Sequence, residues 1–133
     1  MHALVCLLAL AAASSAARAE TPADFLAAYA QEAKRDHPAY DMPSAQRGQR
    51  FFTERHGREW SCASCHTRNP AAGGRHAVTG KAIEPLAPAA NAARFTREAK
   101  VEKWFRRNCK DVLGRACTAG EKADVLAWLL SLK

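Results

Sequence analysis

The chain has 133 residues, a formal net charge of +7, and a composition in which 48% of the residues are hydrophobic. This length supports one small domain with a single core and excludes a multidomain architecture. The basic balance suits an anionic partner met by diffusion, but no surface of interleaved aromatic and basic residues is present, so we do not expect nucleic-acid binding.

Residues 1–19 predict a secretory signal. An apolar run at residues 3–10 is followed by Ala17-Arg18-Ala19, which supplies small residues before a cut at Glu20. A membrane anchor is the alternative, but the run is shorter than the roughly 20 residues needed to span a bilayer. We therefore predict removal of residues 1–19 and a mature chain, 20–133, that has no membrane span.

Two helices are predicted ahead of residue 57. Thr21 followed by Pro22 is typical of a helix start, and this helix should run to about Arg35. Ser44 should cap a second helix that continues through about His56. Both helices belong to the single domain predicted for the mature chain.

The strongest signal in the chain is Cys62-Ala63-Ser64-Cys65-His66. Two thiols three positions apart and followed by an imidazole are typical of c-type haem attachment, in which the histidine ligates the iron. A zinc site would need a second closely spaced pair, whereas Cys109 and Cys117 are separated by seven residues. A thioredoxin-type dithiol would need a surrounding strand-to-helix pattern, which is missing. We predict one covalently attached haem c.

The number of cysteines indicates how Cys109 and Cys117 are used. Cys6 would leave with the signal, so four cysteines remain in the mature chain. With the first pair on haem, Cys109 and Cys117 are left to bond each other in an oxidising compartment. The alternative is a pair of reduced, buried thiols.

The segment between residues 67 and 91 is rich in glycine, proline and alanine and has no sustained periodicity. A long irregular loop in a small domain suggests that it wraps a bound group, here the haem, with Ile83 and Leu86 in the pocket wall. His76 lies in this loop and is one possible second iron ligand, although histidines in exposed loops are common.

Thr96 should cap a third helix, in which Val101, Trp104, Phe105 and Asn108 share one face. An amide at the end of an apolar face has two interpretations. Asn108 is either the C-cap of the helix, since asparagine tolerates the left-handed conformation, or a polar group directed at the haem.

A last helix is predicted from about Glu121 to Leu132. Its Trp128 should pack against Gly48 and Phe52 of the second helix, because a glycine on a helix face lets another helix approach closely. The domain would then be closed by a crossing of an early and a late helix.

The sequence shows no obvious sixth ligand for the iron. Methionine usually fills it in electron-carrying cytochromes c, but the only methionine of the mature chain is Met42, upstream of the motif. His76, Asn91, Asn108, a lysine, water or nothing remain. Among these, Asn108 alone continues an apolar helical face. Its amide oxygen is a hard, weak donor that suits ferric iron, so reduction should loosen it and open the iron to a diatomic gas.

Several segments resemble the sphaeroides haem protein family of oxygen-binding class I cytochromes c. They are Pro85-Leu86-Ala87-Pro88, Arg94-Phe95-Thr96, Lys100-Val101-Glu102-Lys103-Trp104-Phe105-Arg106-Arg107-Asn108-Cys109 and Gly114-Arg115-Ala116-Cys117-Thr118. The resemblance implies an all-α class I cytochrome c fold with an extra N-terminal helix. It also implies haem on Cys62 and Cys65, iron held by His66 and Asn108, a disulfide between Cys109 and Cys117, and loss of the Asn108 ligand on reduction.

The leading hypothesis is a periplasmic haem protein that accepts electrons and binds oxygen or other diatomics on ferrous iron, with their reduction left open. The resemblance suggests a dihaem cytochrome c as electron donor. A plain electron shuttle, permanently six-coordinate through His76, is one alternative, and a gas sensor or scavenger without turnover is another. No distal acid or base is evident. Arg106, Arg107 and Lys110 are either a solvated basic face or the docking patch for an acidic donor.

Overall fold

The computed structural model describes residues 19–133, so the predicted signal lies, apart from Ala19, outside the described residues. The predicted all-α class is confirmed, with one short two-stranded ladder added. None of the helices in this range is long and apolar enough to cross a membrane. The elements in chain order are α1 Pro22–Asp36, α2 Ala45–Thr53, α3 Ala63–His66, β1 Gly74–Arg75, β2 Ala82–Ile83, α4 Glu98–Leu113 and α5 Ala119–Ser131.

The first helix begins where the sequence predicts. The hydroxyl of Thr21 accepts a hydrogen bond from the backbone N–H of Asp24, whose carboxylate in turn accepts from the N–H of Thr21 at 2.8 Å. This reciprocal pair satisfies two N–H groups that a helix start otherwise leaves unpaired. The helix ends at Asp36, one residue past the predicted end and just before His37-Pro38.

The second helix is shorter than predicted. It ends at Thr53 rather than near His56, because the Thr53 hydroxyl donates to the carbonyl of Gln49 and the chain becomes extended at Glu54. The ring of His56 then folds back onto Phe51, with ring centroids 4.5 Å apart and Nε2 2.8 Å from the Phe51 carbonyl oxygen. His56 therefore covers the end of α2 instead of extending it.

The fourth helix begins later and ends later than the sequence indicates. Its N-cap is Arg97 rather than Thr96, whose hydroxyl instead donates to the Ala93 carbonyl at 3.0 Å. The helix continues to Leu113, and Gly114 supplies the left-handed residue with φ of +74°. Asn108 lies inside the helix, so the C-cap interpretation of this residue is wrong.

The last helix begins two residues earlier than predicted, at Ala119 rather than Glu121. Thr118 is the N-cap, and its hydroxyl accepts from the Glu121 N–H while the Glu121 carboxylate accepts from the Thr118 N–H at 2.8 Å. Glu121 is thus the third residue of the helix, which is where a capping box requires an acid.

The predicted crossing of α2 and α5 is confirmed. The backbone of Gly48 lies so close to α5 that a Cβ atom there would sit 1.9 Å from the carbonyl oxygen of Asp124. One turn further on, the ring of Phe52 packs on Trp128 with centroids 5.0 Å apart. The buried Asp124 carboxylate accepts from Tyr40, from the Ser44 N–H and from Arg47, which binds the start of α2 to α5.

The segment expected to be irregular contains a small hairpin. Gly74 pairs with Ile83 and Arg75 with Ala82 in antiparallel register. A Cβ on Gly74 would lie 2.1 Å from the Cys65 carbonyl oxygen, so only glycine permits this approach to α3. The hairpin is thereby fixed against the cysteine motif, which periodicity alone could not have indicated.

We expect Gly48→Ala to lower the free energy of unfolding by about 3 kcal/mol or more, since the new methyl group meets rigid backbone rather than a movable side chain. Guanidinium unfolding followed by circular dichroism measures the change. Gln49→Ala is the matched control, because Gln49 is exposed on the same helix. Equal midpoints for the two variants would show that α2 and α5 are not in this close contact.

Candidate haem site

A cavity of about 610 Å³ is lined by residues of α2, α3, α4 and α5 and of the segment between α3 and α4. This volume is within the range of about 300–1,000 Å³ that is usual for ligand and cofactor sites. Most of the wall is apolar. The wall includes Phe52, Ile83, Leu86, Phe95, Val101, Phe105, Val112, Val125 and Leu129. Ile83 and Leu86, which the sequence placed in the pocket, are both present.

The cysteine motif forms one side of the cavity. Cys62, Cys65 and His66 all line it, and α3 is the single helical turn that brings them together. Neither Cys62 nor Cys65 takes part in a disulfide. The hairpin closes over this turn, with the N–H of Ala77 donating to Cys65 Sγ at 3.3 Å.

Burial changes the protonation chemistry of the motif. It lowers the pKa of His66 to about 4, with a smaller contribution from the positive charge of Arg94. The imidazole is therefore neutral at pH 7, which is the form that ligates a metal. Burial likewise raises the pKa of Cys62 to about 12, so this thiol stays protonated at neutral pH.

Asn108 lines the cavity from α4, and is therefore in the same cavity as His66. It is partly buried, and its carboxamide makes no hydrogen bond with any residue in the described range. Asn91, by contrast, is not part of the cavity wall, and its amide is occupied by the Pro85 carbonyl and the Ala93 N–H. Of the two asparagines that the sequence left as alternatives, Asn108 lines the cavity and Asn91 does not.

The other possible iron ligands are less well placed. His76 lines the cavity, but its Nδ1 accepts from the N–H groups of Val78 and Thr79, so in the neutral ring Nε2 carries the proton and has no lone pair for a metal. Met42 is 61% exposed and is not part of the cavity wall. A His/Met pair of the usual kind would therefore require a rearrangement of the chain ahead of α2.

Cys109 and Cys117 form a disulfide with 5.5 Å between their Cα atoms. Both residues line the cavity next to Asn108. Because each sulfur is bonded to the other, neither is available to complete a zinc site with Cys62 and Cys65. The bridge joins the last turn of α4 to the segment that leads into α5.

Three basic residues around the cavity, Arg94, Arg97 and Lys100, had no role in the sequence analysis. All three line the cavity, and Arg94 is held by hydrogen bonds to the carbonyls of Pro85 and Glu84, each at 2.8 Å. Cations at the edge of an apolar cavity suit a flat apolar group that carries carboxylates. The attachment thiols, the neutral imidazole, the volume and this charge together fit haem c.

Comparison with known proteins identifies the family. A family model described as "Domain of unknown function (DUF1924)" matches residues 38–129. The chain is 46% identical over 107 residues to cytochrome c'' of Methylophilus methylotrophus, covering 77% of this chain and 74% of that protein. It is 45% identical over 127 residues to the cytochrome c-type protein SHP of Cereibacter sphaeroides, covering 92% and 93%. The chain belongs to this cytochrome family.

Solved structures of the same two relatives agree with this assignment. Oxidized cytochrome c'' superposes with a TM-score of 0.77 at 42% identity, covering 84% of this chain and 94% of that one. Oxidized SHP, described as an oxygen-binding cytochrome c, gives a TM-score of 0.74 at 42% identity, covering 84% and 97%. A solution structure of cytochrome c'', concerned with haem-ligand detachment, gives 0.74 at 41%, covering 83% and 92%. The resemblance drawn from the sequence and the class I cytochrome c fold are confirmed.

The disulfide between Cys109 and Cys117 should stabilise the folded chain. We expect the Cys109→Ala, Cys117→Ala double variant to lose about 2–3 kcal/mol of unfolding free energy, because a short loop is no longer closed in the unfolded chain. Thermal unfolding with and without a reductant measures this loss. With the iron kept ferrous in every sample, the double variant serves as its own control and should not respond to the thiol reductant, whereas the unmodified chain should fall to its level.

Proposed function

We propose that this chain is a monohaem cytochrome in which Cys62 and Cys65 carry the haem and His66 and Asn108 ligate the oxidised iron. On reduction Asn108 leaves, and a small diatomic such as oxygen takes its place. The observation that carries the proposal is Asn108 on the cavity wall, whose carboxamide has no hydrogen-bond partner among residues 19–133 and remains accessible.

The chemistry of His66 and Asn108 supports one permanent ligand and one that dissociates on reduction. When bound, the haem supplies an iron that changes oxidation state and, when reduced, takes up small gaseous ligands. Neutral His66 is a strong nitrogen donor on one side, whereas the amide oxygen of Asn108 is a hard, weak donor that favours the ferric state. SHP is described as oxygen-binding, and cytochrome c'' has been studied for haem-ligand detachment, which supports the same behaviour here.

Two other functions remain as competitors. A plain electron shuttle would need His76 as a permanent ligand through Nε2, and the proton would then have to move to Nδ1, which now accepts from two backbone N–H groups. A gas sensor or scavenger would bind without turnover, and rapid oxygen consumption with a donor present would count against it. The only carboxylate on the described cavity wall is Asp111, which offers little acid–base chemistry for reduction of a bound gas.

The location belongs to the same proposal. We place the mature chain in the periplasm, where the oxidising environment suits the bond between Cys109 and Cys117. Export would depend on the signal predicted at residues 1–19.

We expect Asn108→Ala to remove the sixth ligand of the oxidised protein, so its optical spectrum should change to that of a high-spin haem, while the reduced protein still binds carbon monoxide. Asn108→His should do the reverse, because imidazole nitrogen holds both oxidation states, and carbon monoxide binding should weaken at least about tenfold. Asn91→Ala is the control and should leave both spectra unchanged. An unmodified reduced protein that gives no spectral response to carbon monoxide would leave only the shuttle.

Electron delivery would occur at the exposed side of α4. Lys100, Lys103, Trp104 and Arg107 follow helical spacing and form one face, which we call the α4 basic face. Trp104 is 44% exposed and lies between cations, with Lys103 Nζ 5.8 Å and Arg107 Cζ 5.4 Å from its ring centroid. None of these cations forms a salt bridge within residues 19–133.

The α4 basic face suits an acidic redox partner, which we propose is a dihaem cytochrome c. Lys100, Trp104 and Arg107 also line the cavity, so a protein docked there would lie against the haem site. Arginine and tryptophan are enriched among residues that dominate binding at interfaces. Of the basic residues considered from the sequence, Arg107 belongs to this face, whereas Arg106 is close enough to Glu102 to help lower the pKa of that carboxyl.

We expect the Lys103→Glu, Arg107→Glu double variant to accept electrons from an acidic dihaem cytochrome c about tenfold more slowly at low salt, with the difference disappearing near 1 M salt. Stopped-flow absorbance measures the rate. The Arg35→Glu, Arg50→Glu double variant has the same net charge, and both of its positions lie exposed outside the cavity wall. Equal slowing of the two variants would assign the effect to total charge and not to the α4 basic face.

A further inference from the structure

Much of the inward side of helix α4 faces the cavity and not another helix. The close helix contacts of the fold are those of α5 with α1 and with α2, and α4 takes no part in them within the described range. Its inward side chains Val101, Phe105 and Asn108 line the cavity, and of these three Val101 and Phe105 also pack on the hydrophobic core. The position of α4, and with it the position of Asn108, must therefore be set by a small number of local ties.

Three such ties are present among residues 19–133. At the start of α4 the N–H of Glu98 donates to the Glu20 carboxylate at 2.9 Å. Near its end the disulfide between Cys109 and Cys117 holds the last turn. Between them, Glu102 is the α4 residue whose side chain hydrogen-bonds to other helices.

Glu102 binds α1 and α5 at once. One carboxylate oxygen accepts from the hydroxyl of Tyr29 on α1, and the other accepts from Lys122 Nζ on α5 at 2.8 Å. The Lys122 side chain is only 15% exposed and Tyr29 is buried. Partial burial acts to raise the pKa of Glu102, but the hydrogen bonds from Lys122 and Tyr29 outweigh it and lower the pKa, so the carboxylate is charged at pH 7.

The same cluster touches the cavity wall. The ring of Phe105 meets Tyr29 edge to face with centroids 5.8 Å apart, and Lys122 Nζ lies 5.7 Å from the Phe105 centroid. Phe105 precedes Asn108 by three positions, so the two side chains lie on the same side of α4 one turn apart. A shift of α4 at Glu102 would move both of them.

We propose that Glu102, held by Tyr29 and Lys122, is a positioning residue that keeps α4 at the distance from which Asn108 reaches the haem iron. The proposal rests on the proposed function, because it concerns the ligand assigned there. Loss of the Glu102 contacts lets α4 move away from the core, and Asn108 then competes less well with an added ligand.

The test is cyanide binding to the oxidised holoprotein, followed by absorbance. Glu102→Gln removes the charge that holds Lys122 and weakens the bond from Tyr29, and it should raise cyanide affinity about tenfold. Tyr29→Phe removes a single hydroxyl and should raise it by a smaller factor. Glu98→Gln is the matched control, since it removes the same charge from the same helix, and the carboxylate of Glu98 makes no hydrogen bond in the described chain.

A second readout does not depend on the haem. Amide hydrogen exchange should become faster along the first three turns of α4 in Glu102→Gln, while α2 and the end of α4 that carries the disulfide keep their protection. Unchanged exchange in α4, or a cyanide affinity equal to that of Glu98→Gln, would overturn the proposal. Loss of protection throughout the molecule would also overturn it, because Glu102 would then serve overall stability.

A double-mutant cycle separates this proposal from the one on which it rests. Asn108→Ala alone should raise cyanide affinity, and adding Glu102→Gln to it should have no further effect. If Asn108→Ala leaves the affinity unchanged, the ligand assignment fails. If Asn108→Ala raises the affinity and Glu102→Gln raises it by the same factor with or without Asn108, the ligand assignment stands and the positioning role fails.

Discussion

The close approach of α2 to α5 at Gly48 is the constraint on which the rest of the fold depends. Backbone meets backbone there, and Asp124, whose carbonyl lies at the contact, also binds the start of α2 through its carboxylate. Phe52 follows on the same face and packs on both Trp128 and the ring of His66. The helix crossing therefore places the motif histidine against a rigid aromatic wall.

The opposite wall of the cavity is built on a different principle. Where α5 is held by close packing, α4 is held at intervals by a backbone hydrogen bond, the Glu102 cluster and a disulfide. This difference is suited to a site with one permanent and one exchangeable ligand. His66 belongs to the packed side and Asn108 to the tethered side, so under the proposed function a small displacement of α4 would move Asn108 while leaving His66 in place.

Charge is distributed unevenly over α4. Glu102 faces the core helices, where it is paired, whereas Lys103 and Arg107 flank the exposed ring of Trp104 and have no carboxylate partner within the described residues. If the two proposals hold, the inner side of this helix positions a ligand and its outer side meets a protein partner. Electron arrival and ligand release would then both involve α4. The two events could be coupled without a pathway through the core.

Local sequence determined much of this protein. The five residues from Cys62 to His66 predict haem attachment by themselves. The helix starts at Thr21 and Ser44 could also be predicted, because a cap involves only neighbours along the chain. A glycine and an aromatic on one face of α2 also suggested the crossing at Gly48, but its contact with the backbone of Asp124 is decided by the tertiary structure. The segment pattern also placed the chain in its cytochrome family.

Tertiary structure alone decided the features that join distant residues. The location of Asn108 within α4 depended on where the helix ended, and Gly114 rather than Asn108 supplied the left-handed turn. The Glu102 cluster brings together residues 73 and 20 positions apart, and no periodicity records such a pairing. Short-range patterns encode backbone hydrogen bonds and amphipathic faces, whereas contacts between side chains of different helices exist only once the helices have packed.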